Sequence, residues 1–425
     1  MNIKLCWRGM NKLERLSKYV VKTRINKSQT ALYNMLTKQH MLIDNENRDS
    51  MYPELEHQFY MNKTCKSDKE ELLNPVRNSY LFSDKVARYV VHLNYDCNLK
   101  CSYCYQNVIP EKEVMTEVTV NEVVNFINVS VNDIQPEQVD ICFIGGEPML
   151  HSKSIENIMK TLSVPRERTH FNMVTNGTIM GRKYQRLYDL GLKELMITLD
   201  GPRLIHDNFR VSKHGSGSFD KILENIALLN EKYPDINIQI NCNLNAENVD
   251  SIPELIQQLK VQNITYPLIF SDVIDTKDEQ YEYTLKEDTH WYEVHKIALE
   301  EGYTYEPFYR DIFLGCSMFQ KNNFIIGANG YLYSCIEAVG LKQFQQVHVR
   351  EYGEFMFDFI RSQEINKNES LEDCIECKFL PVCDGGCYYK RFSKTFKCPK
   401  NSFESNSIPL VHEFSERMYL NGRSD

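Results

Sequence analysis

From Arg88 to Phe270 the hydrophobic pattern switches repeatedly between two periods. Short apolar runs at Tyr89–Asn94, Val139–Ile144, Thr169–Val174, Glu194–Leu199, Ile236–Asn243 and Thr265–Phe270 predict six strands. Between them the spacing is helical. Val120, Val123, Val124 and Ile127 fall at i, i+3, i+4 and i+7, as do Ile155, Ile158, Met159 and Leu162, and Ser218–Glu231 is a third such helix. Six βα units predict an α/β fold whose parallel sheet either curls into a partial (β/α)6 barrel or is doubly wound. The partial barrel is the favoured reading, over residues 86–300.

The flanks carry other patterns. Tyr19–Ile25 is strand-like, Asn26–Gln29 is a turn cluster, and Thr30–Asp44 is strand-like again. Two polar helical stretches, Asn47–Met61 and Ser67–Asn74, follow. Residues 1–85 thus read as a hairpin-plus-helices segment, either a peptide-recognition module or a cap on the larger fold. Residues 301–425 have no long apolar period and predict a small, loop-rich cysteine domain.

The chain has 425 residues and a formal net charge of −9. That balance excludes a chain-wide basic field for nucleic acid or anionic lipid. The charge is uneven: residues 1–85 hold 15 Lys+Arg against 10 Asp+Glu, a balance of +5, and the remainder holds 34 against 48, or −14. No apolar run approaches the roughly 18 residues of a membrane span. The first residues lack the apolar stretch of a secretory signal, so a cytoplasmic location is expected.

Of 14 cysteines, ten fall into spaced groups. In a long chain without a secretory signal such spacing points to metal binding rather than disulfides. Cys6, Cys65, Cys142 and Cys242 stand apart and read as structural thiols. Cys97-x3-Cys101-x2-Cys104 follows the first predicted strand, Gly145-Gly146-Glu147-Pro148 the second, Thr175-Asn176-Gly177 the third and Asp200-Gly201-Pro202 the fourth. In parallel β/α folds the loops after strands converge on one mouth, so these segments are expected to share a site. Three thiolates in one loop suit a [4Fe-4S] cluster with one open iron, or a zinc site that borrows a distant ligand. Asn176 is either a turn residue with positive φ or a ligand contact. His206 reads as a structural or capping histidine, with acid–base catalysis as the alternative.

Taken together, CNLKCSYCYQ and GGEP resemble the cluster loop and the ligand-binding motif of the radical S-adenosylmethionine (SAM) superfamily, over about Ala87 to Phe270. The resemblance implies that Cys97, Cys101 and Cys104 hold the catalytic cluster, with Tyr103 near the adenine. It also implies that Gly145, Gly146 and Glu147 face the methionine ammonium, and that Thr198 and Asp200 lie at ribose-contact positions. Arg210 would pair with the SAM carboxylate, unless it is an ordinary surface arginine.

The seven remaining grouped cysteines resemble the SPASM extension of radical SAM enzymes. That likeness implies one auxiliary [4Fe-4S] cluster on Cys374, Cys377, Cys383 and Cys398 and another on Cys316, Cys335 and Cys387, three clusters in all. Residues 246–315 contain no cysteine, so the second auxiliary site lacks the eighth cysteine common in sulfatase-maturing members. Cys242 or Cys65 could complete it. The whole pattern implies an enzyme that modifies a ribosomally made precursor peptide with a leader, drawing electrons from a reductant such as flavodoxin or ferredoxin. Among such maturases it is most similar to the thioether-forming ones. Sulfatase maturation and carbon–carbon crosslinking or epimerisation are the alternatives, and no nucleic acid or membrane partner is expected.

Overall fold

A computed structural model describes residues 16–58, 60–61, 67–81, 83–109, 111–273, 289–303, 316, 318, 320–351, 374, 376–392 and 398–421. The N-terminal segment is a three-stranded antiparallel sheet of β1 (Val20–Arg24), β2 (Gln29–Asn34) and β3 (His40–Asp44). The turn after β1 is built by Asn26, whose Oδ1 accepts from the Ser28 and Gln29 amides at 2.9 Å each. The run expected over Thr30–Asp44 is two strands rather than one. Asn34 Oδ1 caps the Leu36 amide at 2.9 Å and Lys38 takes a φ of 56°, which folds the chain back on itself. Helices α1 (Tyr52–His57) and α2 (Asn74–Leu81) follow.

The central sheet begins with β4 (Val86–His92) and alternates with helices: α3 (Glu117–Ile134), β5 (Gln138–Ile144), α4 (Ser152–Thr161), β6 (Thr169–Thr175), α5 (Arg182–Asp189) and β7 (Leu192–Thr198). It continues through α6 (Arg203–Phe209), α7 (Phe219–Lys232), β8 (Asn237–Leu244), α8 (Ile252–Val261), β9 (Leu268–Asp272) and α9 (Thr289–Glu300). The six strands β4 to β9 pair in parallel and in sequence order. A doubly wound sheet reverses direction at a switch point. Here the order never reverses, so the sheet curls as a partial barrel.

Helix α3 shows why the pattern folds this way. Thr116 accepts from the Thr119 amide at 3.1 Å to cap its start, and Gln135 ends it at φ 53°. Val120, Val123 and Ile127 face Ala87, Tyr89 and Val91 of β4 in one buried core, each at most 1% exposed. The opposite face of β4 carries Arg88, paired with Asp140 of β5 at 3.4 Å.

Two further strands complete the sheet. β10 (Asn323–Ile326) lies parallel to β4, and β11 (Leu332–Tyr333) pairs antiparallel with β10. The hairpin expected at Asn323–Cys335 therefore extends the barrel sheet to eight strands. The C-terminal helix α10 (Ile408–Glu416) packs against β1. Val21, Tyr33 and Met35 join Phe379, Val382, Phe403 and Val411 in a second core, so the N-terminal sheet seats on the cysteine-bearing segment. Among the described residues no helix is long and apolar enough to cross a membrane.

Candidate functional site

The loop after β4 is strapped down on both sides. Leu93 and Tyr95 exchange backbone bonds with Met115 and Glu113, and Lys100 and Ser102 donate to the carbonyls of Val211 and Phe209. Cys97, Cys101 and Cys104 are each half-buried. Burial, with each other's charge added, pushes Cys97 and Cys101 up to about 11. Two N–H groups oppose this at Cys97: the Leu99 amide at 3.4 Å and the Asn176 side-chain amide at 3.6 Å from its sulfur. Donors aimed at a sulfur favour its thiolate, the form that binds iron.

Gly145 and Gly146 are required by this loop rather than by a ligand. A Cβ on Gly146 would lie 2.0 Å from the Asp96 carbonyl oxygen, and one on Gly145 would lie 2.5 Å from Asn94 Oδ1. With no side chain in the way, Gly146 and Glu147 donate their amides to the carbonyls of Asn94 and Asp96 at 2.9 and 3.0 Å. Glu147 also departs from expectation. Its carboxylate is fully buried and accepts from Thr175 Oγ1 at 2.8 Å, the Asn176 amide at 2.8 Å and the Met149 amide at 3.0 Å. It ties the loop after β5 to the loop after β6. Burial raises its pKa, and those three hydrogen bonds oppose the rise. Asn176 is not the residue with positive φ; that is Gly177, at 74°. The Asn176 side chain instead bridges Cys97 and Asn98 Oδ1.

Deeper in the mouth a buried network joins three loops. Tyr103 donates its hydroxyl to Asp200, and Arg210 donates to the Tyr103 oxygen at 2.7 Å. Asn243, at the end of β8, gives Asp200 both its amide at 2.8 Å and its side-chain N–H at 3.2 Å. The Arg210 Nε is buried without a partner, a spare donor suited to an anionic ligand group such as a carboxylate. His206 lies behind this network, accepting the Asp200 amide on Nδ1 and meeting Ser218 Oγ through Nε2. Burial lowers its pKa well below the ordinary range, so it is neutral.

These groups open onto a cavity of about 830 Å³. Cys97, Cys101, Cys104, Tyr103, Asn176 and Arg210 line it, as do Gly145, Gly146 and Thr198. Glu147, Pro148 and Asp200 stand buried behind its wall. The opposite wall comes from the C-terminal region and includes Glu337, Cys387 and Lys390. Charges on Cys316 and Cys387 raise Cys335 further beyond the effect of burial, so the three thiols are neighbours. Cys374 and Cys377 flank one turn, the Cys377 amide donating to the Cys374 carbonyl at 3.0 Å, and Cys383 ends a short helical turn beside them in sequence. Cys398 is exposed.

Cys242 does not complete the second auxiliary site. It is fully buried in the main core, on the face of β8 opposite Asn241 and Asn243. Cys65 lies outside the described residues. Asn243, Glu337 and Lys390 are cavity residues that pattern reading passes over. The polar alternation Asn241, Asn243 on an otherwise apolar strand is the signal for the first. Glu337 and Lys390 come from non-local packing and carry no such signal.

Residues 91–259 match the family model described as the Radical SAM superfamily, and they form a radical SAM domain. The protein is an enzyme homologous to anaerobic sulfatase-maturating enzymes. It is 24% identical over 324 residues to the cysteine-type anaerobic sulfatase-maturating enzyme of Clostridium novyi, covering 69% of this chain and 85% of that one. Among solved structures it is similar to anSMEcpe with bound AdoMet and Cp18Cys peptide (TM-score 0.62, 19% identity, 78% of this chain and 99% of that chain). It is also similar to Streptococcus suis SuiB bound to precursor peptide SuiA (TM-score 0.53, 16% identity, 91% of this chain and 97% of that chain). A radical SAM domain implies a [4Fe-4S] cluster and SAM. The loop thiols with their N–H donors and the spare Arg210 Nε are a donor set that fits both.

Proposed function

We propose that this enzyme modifies a ribosomally made precursor peptide, forming a thioether crosslink in a site shared by a radical SAM cluster and an auxiliary cluster. One observation carries the reading: Cys97, Cys101 and Cys104 line the same cavity as Cys387. When bound, the cofactors supply an electron, a hydrogen-abstracting 5′-deoxyadenosyl radical, and an acceptor for the surplus electron. The chain does the rest. Cys97, Cys101 and Cys104 would hold the first cluster, and Arg210 would orient the SAM carboxylate with its free Nε. Cys316, Cys335 and Cys387 would hold an auxiliary cluster with an iron open to a substrate thiolate. Cys374, Cys377, Cys383 and Cys398 would hold a third cluster. The walls exclude water, which would otherwise intercept reactive species. Holding the substrate sulfur against the same cavity makes bond formation effectively unimolecular.

The first 85 residues would recognise the leader. The basic balance of this segment suits an acidic peptide. In its sheet β1 is covered by α10, whereas β3 is an edge strand. The likeness to SuiB supports this reading. Residues 86–425 are four-fifths of the chain, so a 91% cover takes in part of the N-terminal segment.

The test is anaerobic incubation of the reconstituted enzyme with SAM, dithionite and each short precursor encoded beside its gene. A thioether requires loss of two hydrogens, about 2 Da per crosslink, and protection of one substrate thiol from alkylation. Thiols that stay fully alkylatable while the mass falls would exclude the thioether. Conversion of a single Cys or Ser to an aldehyde would favour sulfatase maturation, the activity named for the Clostridium novyi relative.

A further inference from the structure

Tyr19 carries a buried hydroxyl that nothing described so far uses. The side chain is fully buried and packs with Leu72, Leu73, Leu380 and Cys374. Its backbone is satisfied: the amide donates to Ser17 Oγ at 3.1 Å, and the carbonyl accepts from Met35 at 2.9 Å. The phenolic oxygen, by contrast, has no hydrogen-bond partner. Leaving such a donor unpaired costs about 1–3 kcal/mol. A structure keeps one only where an acceptor arrives later.

The surroundings name that acceptor. Besides the packed Cys374, the charged groups that reach the hydroxyl belong to Asp68, Glu376 and Cys377. Asp68 is already engaged, accepting from Ser17 Oγ at 2.9 Å and the Lys18 amide at 2.8 Å. Glu376 is 82% exposed and paired with Lys18 Nζ at 3.0 Å. The thiols of Cys374 and Cys377 remain, and these are the sulfurs assigned above to an auxiliary cluster. Hydrogen bonds to cluster sulfurs stabilise the reduced, more negative state and raise the reduction potential.

We propose that Tyr19 donates its hydroxyl hydrogen bond to a sulfur of the cluster held by Cys374, Cys377, Cys383 and Cys398, so that the N-terminal module tunes the potential of that cluster. Tyr19 is then a tuning residue that acts through the cluster and touches no substrate. The proposal rests on the three-cluster reading above, and the experiment separates failure of one from failure of the other.

The test uses full-length protein with Cys97, Cys101 and Cys104 changed to Ala, reconstituted anaerobically, so that only auxiliary clusters remain. Iron should be about eight atoms per chain. EPR-monitored redox titration then compares it with the same protein carrying Tyr19→Phe, which keeps the ring and its packing. At the potential where the parent cluster is half reduced, the reduced-to-oxidised ratio of one cluster should fall about three- to tenfold. That range corresponds to one hydrogen bond, and tenfold equals about 59 mV for one electron. The other cluster should not move. Tyr60→Phe is the control, because that hydroxyl already donates to the Gln39 carbonyl at 2.8 Å. Iron well below eight in the parent would overturn the cluster assignment and the proposal with it. Eight irons with identical titrations for parent and Tyr19→Phe would overturn the proposal alone, as would an equal shift in Tyr60→Phe.

Discussion

Arg77 and Asp384, 307 positions apart, form an ion pair that joins α2 to the cysteine-bearing segment. Nε donates to Oδ1 at 3.2 Å, and the two side chains are 15% and 6% exposed. Asp384 also takes a φ of 45°, immediately after Cys383. The pair therefore pins a strained turn of a proposed cluster loop to the N-terminal module.

Asp384→Asn keeps a residue that tolerates the left-handed turn but strands the guanidinium. Removing one partner of a largely buried pair costs about 3 kcal/mol. Hydrogen exchange of the β1 and β2 amides should quicken by up to about 100-fold through local opening, whereas amides of β5 to β7 should not change. Exchange that is uniform across both regions would show that the pair does not hold this seam. Deleting residues 1–83 is a poorer probe, because it uncovers Phe379, Leu380 and Val382, all buried against the module.

Gly146→Ala should cost the catalytic cluster specifically. The new methyl group would stand 2.0 Å from the Asp96 carbonyl oxygen, and that backbone leads directly into Cys97. Relief requires moving the cysteine loop away from the loop after β5. The reconstituted variant should lose about four irons of twelve together with reductive SAM cleavage, while the auxiliary EPR signals persist. Retention of all twelve irons with normal cleavage would mean that the glycine is needed for something else.

The same glycines show what pattern reading reaches and what it misses. All six strands of the barrel were legible from apolar runs, and their order on the chain located the mouth, because each loop follows a strand end. Strand ends moved by a few residues, since pairing rather than propensity sets them. The split of Thr30–Asp44 into β2 and β3 depends on one residue, Lys38, at positive φ, which lysine does not announce. The roles of Gly145, Gly146 and Glu147 were assigned to a ligand, yet the structure spends them on its own backbone. Spacing identifies which residues meet, not which of them turn toward solvent or substrate. The pairing of β10 with β4 spans more than 230 positions and could not be read locally.

Arg210→Met should weaken SAM binding while leaving the iron content unchanged. The guanidinium is buried beside Asp200 and Tyr103 with Nε unpaired, and the long apolar substitute fills most of its volume. A hydrogen bond to a charged group contributes about 1.5–3 kcal/mol, so the Kd should rise roughly 10- to 100-fold in anaerobic calorimetry. Asn243→Ala removes two donors to Asp200 without touching the arginine and should have a smaller effect. Equal affinity in Arg210→Met would return the residue to a purely structural role.

His92 sets an acid limit on the barrel. It ends β4, is fully buried, and neither ring nitrogen has a hydrogen-bond partner. Burial alone lowers its pKa from 6.5 to about 3. The sign follows from proton binding. Between pH 6.5 and 3 the unfolded chain carries the proton and the folded chain refuses it, so stability falls as pH falls through that window. Above pH 6.5 both states are neutral and the residue contributes no slope. Each pH unit within the window is worth about 1.4 kcal/mol, which gives about 2 kcal/mol between pH 6.5 and 5. His92→Met keeps an apolar side chain of similar reach and removes the titration. Other groups titrate over the same range, so the measurement is a difference: urea unfolding of both proteins, followed by far-UV circular dichroism, at pH 7.5 and at pH 5. The wild type should lose about 2 kcal/mol more than the variant on acidification. Parallel losses would mean that His92 finds a partner, such as a buried water, and is protonated in the folded protein.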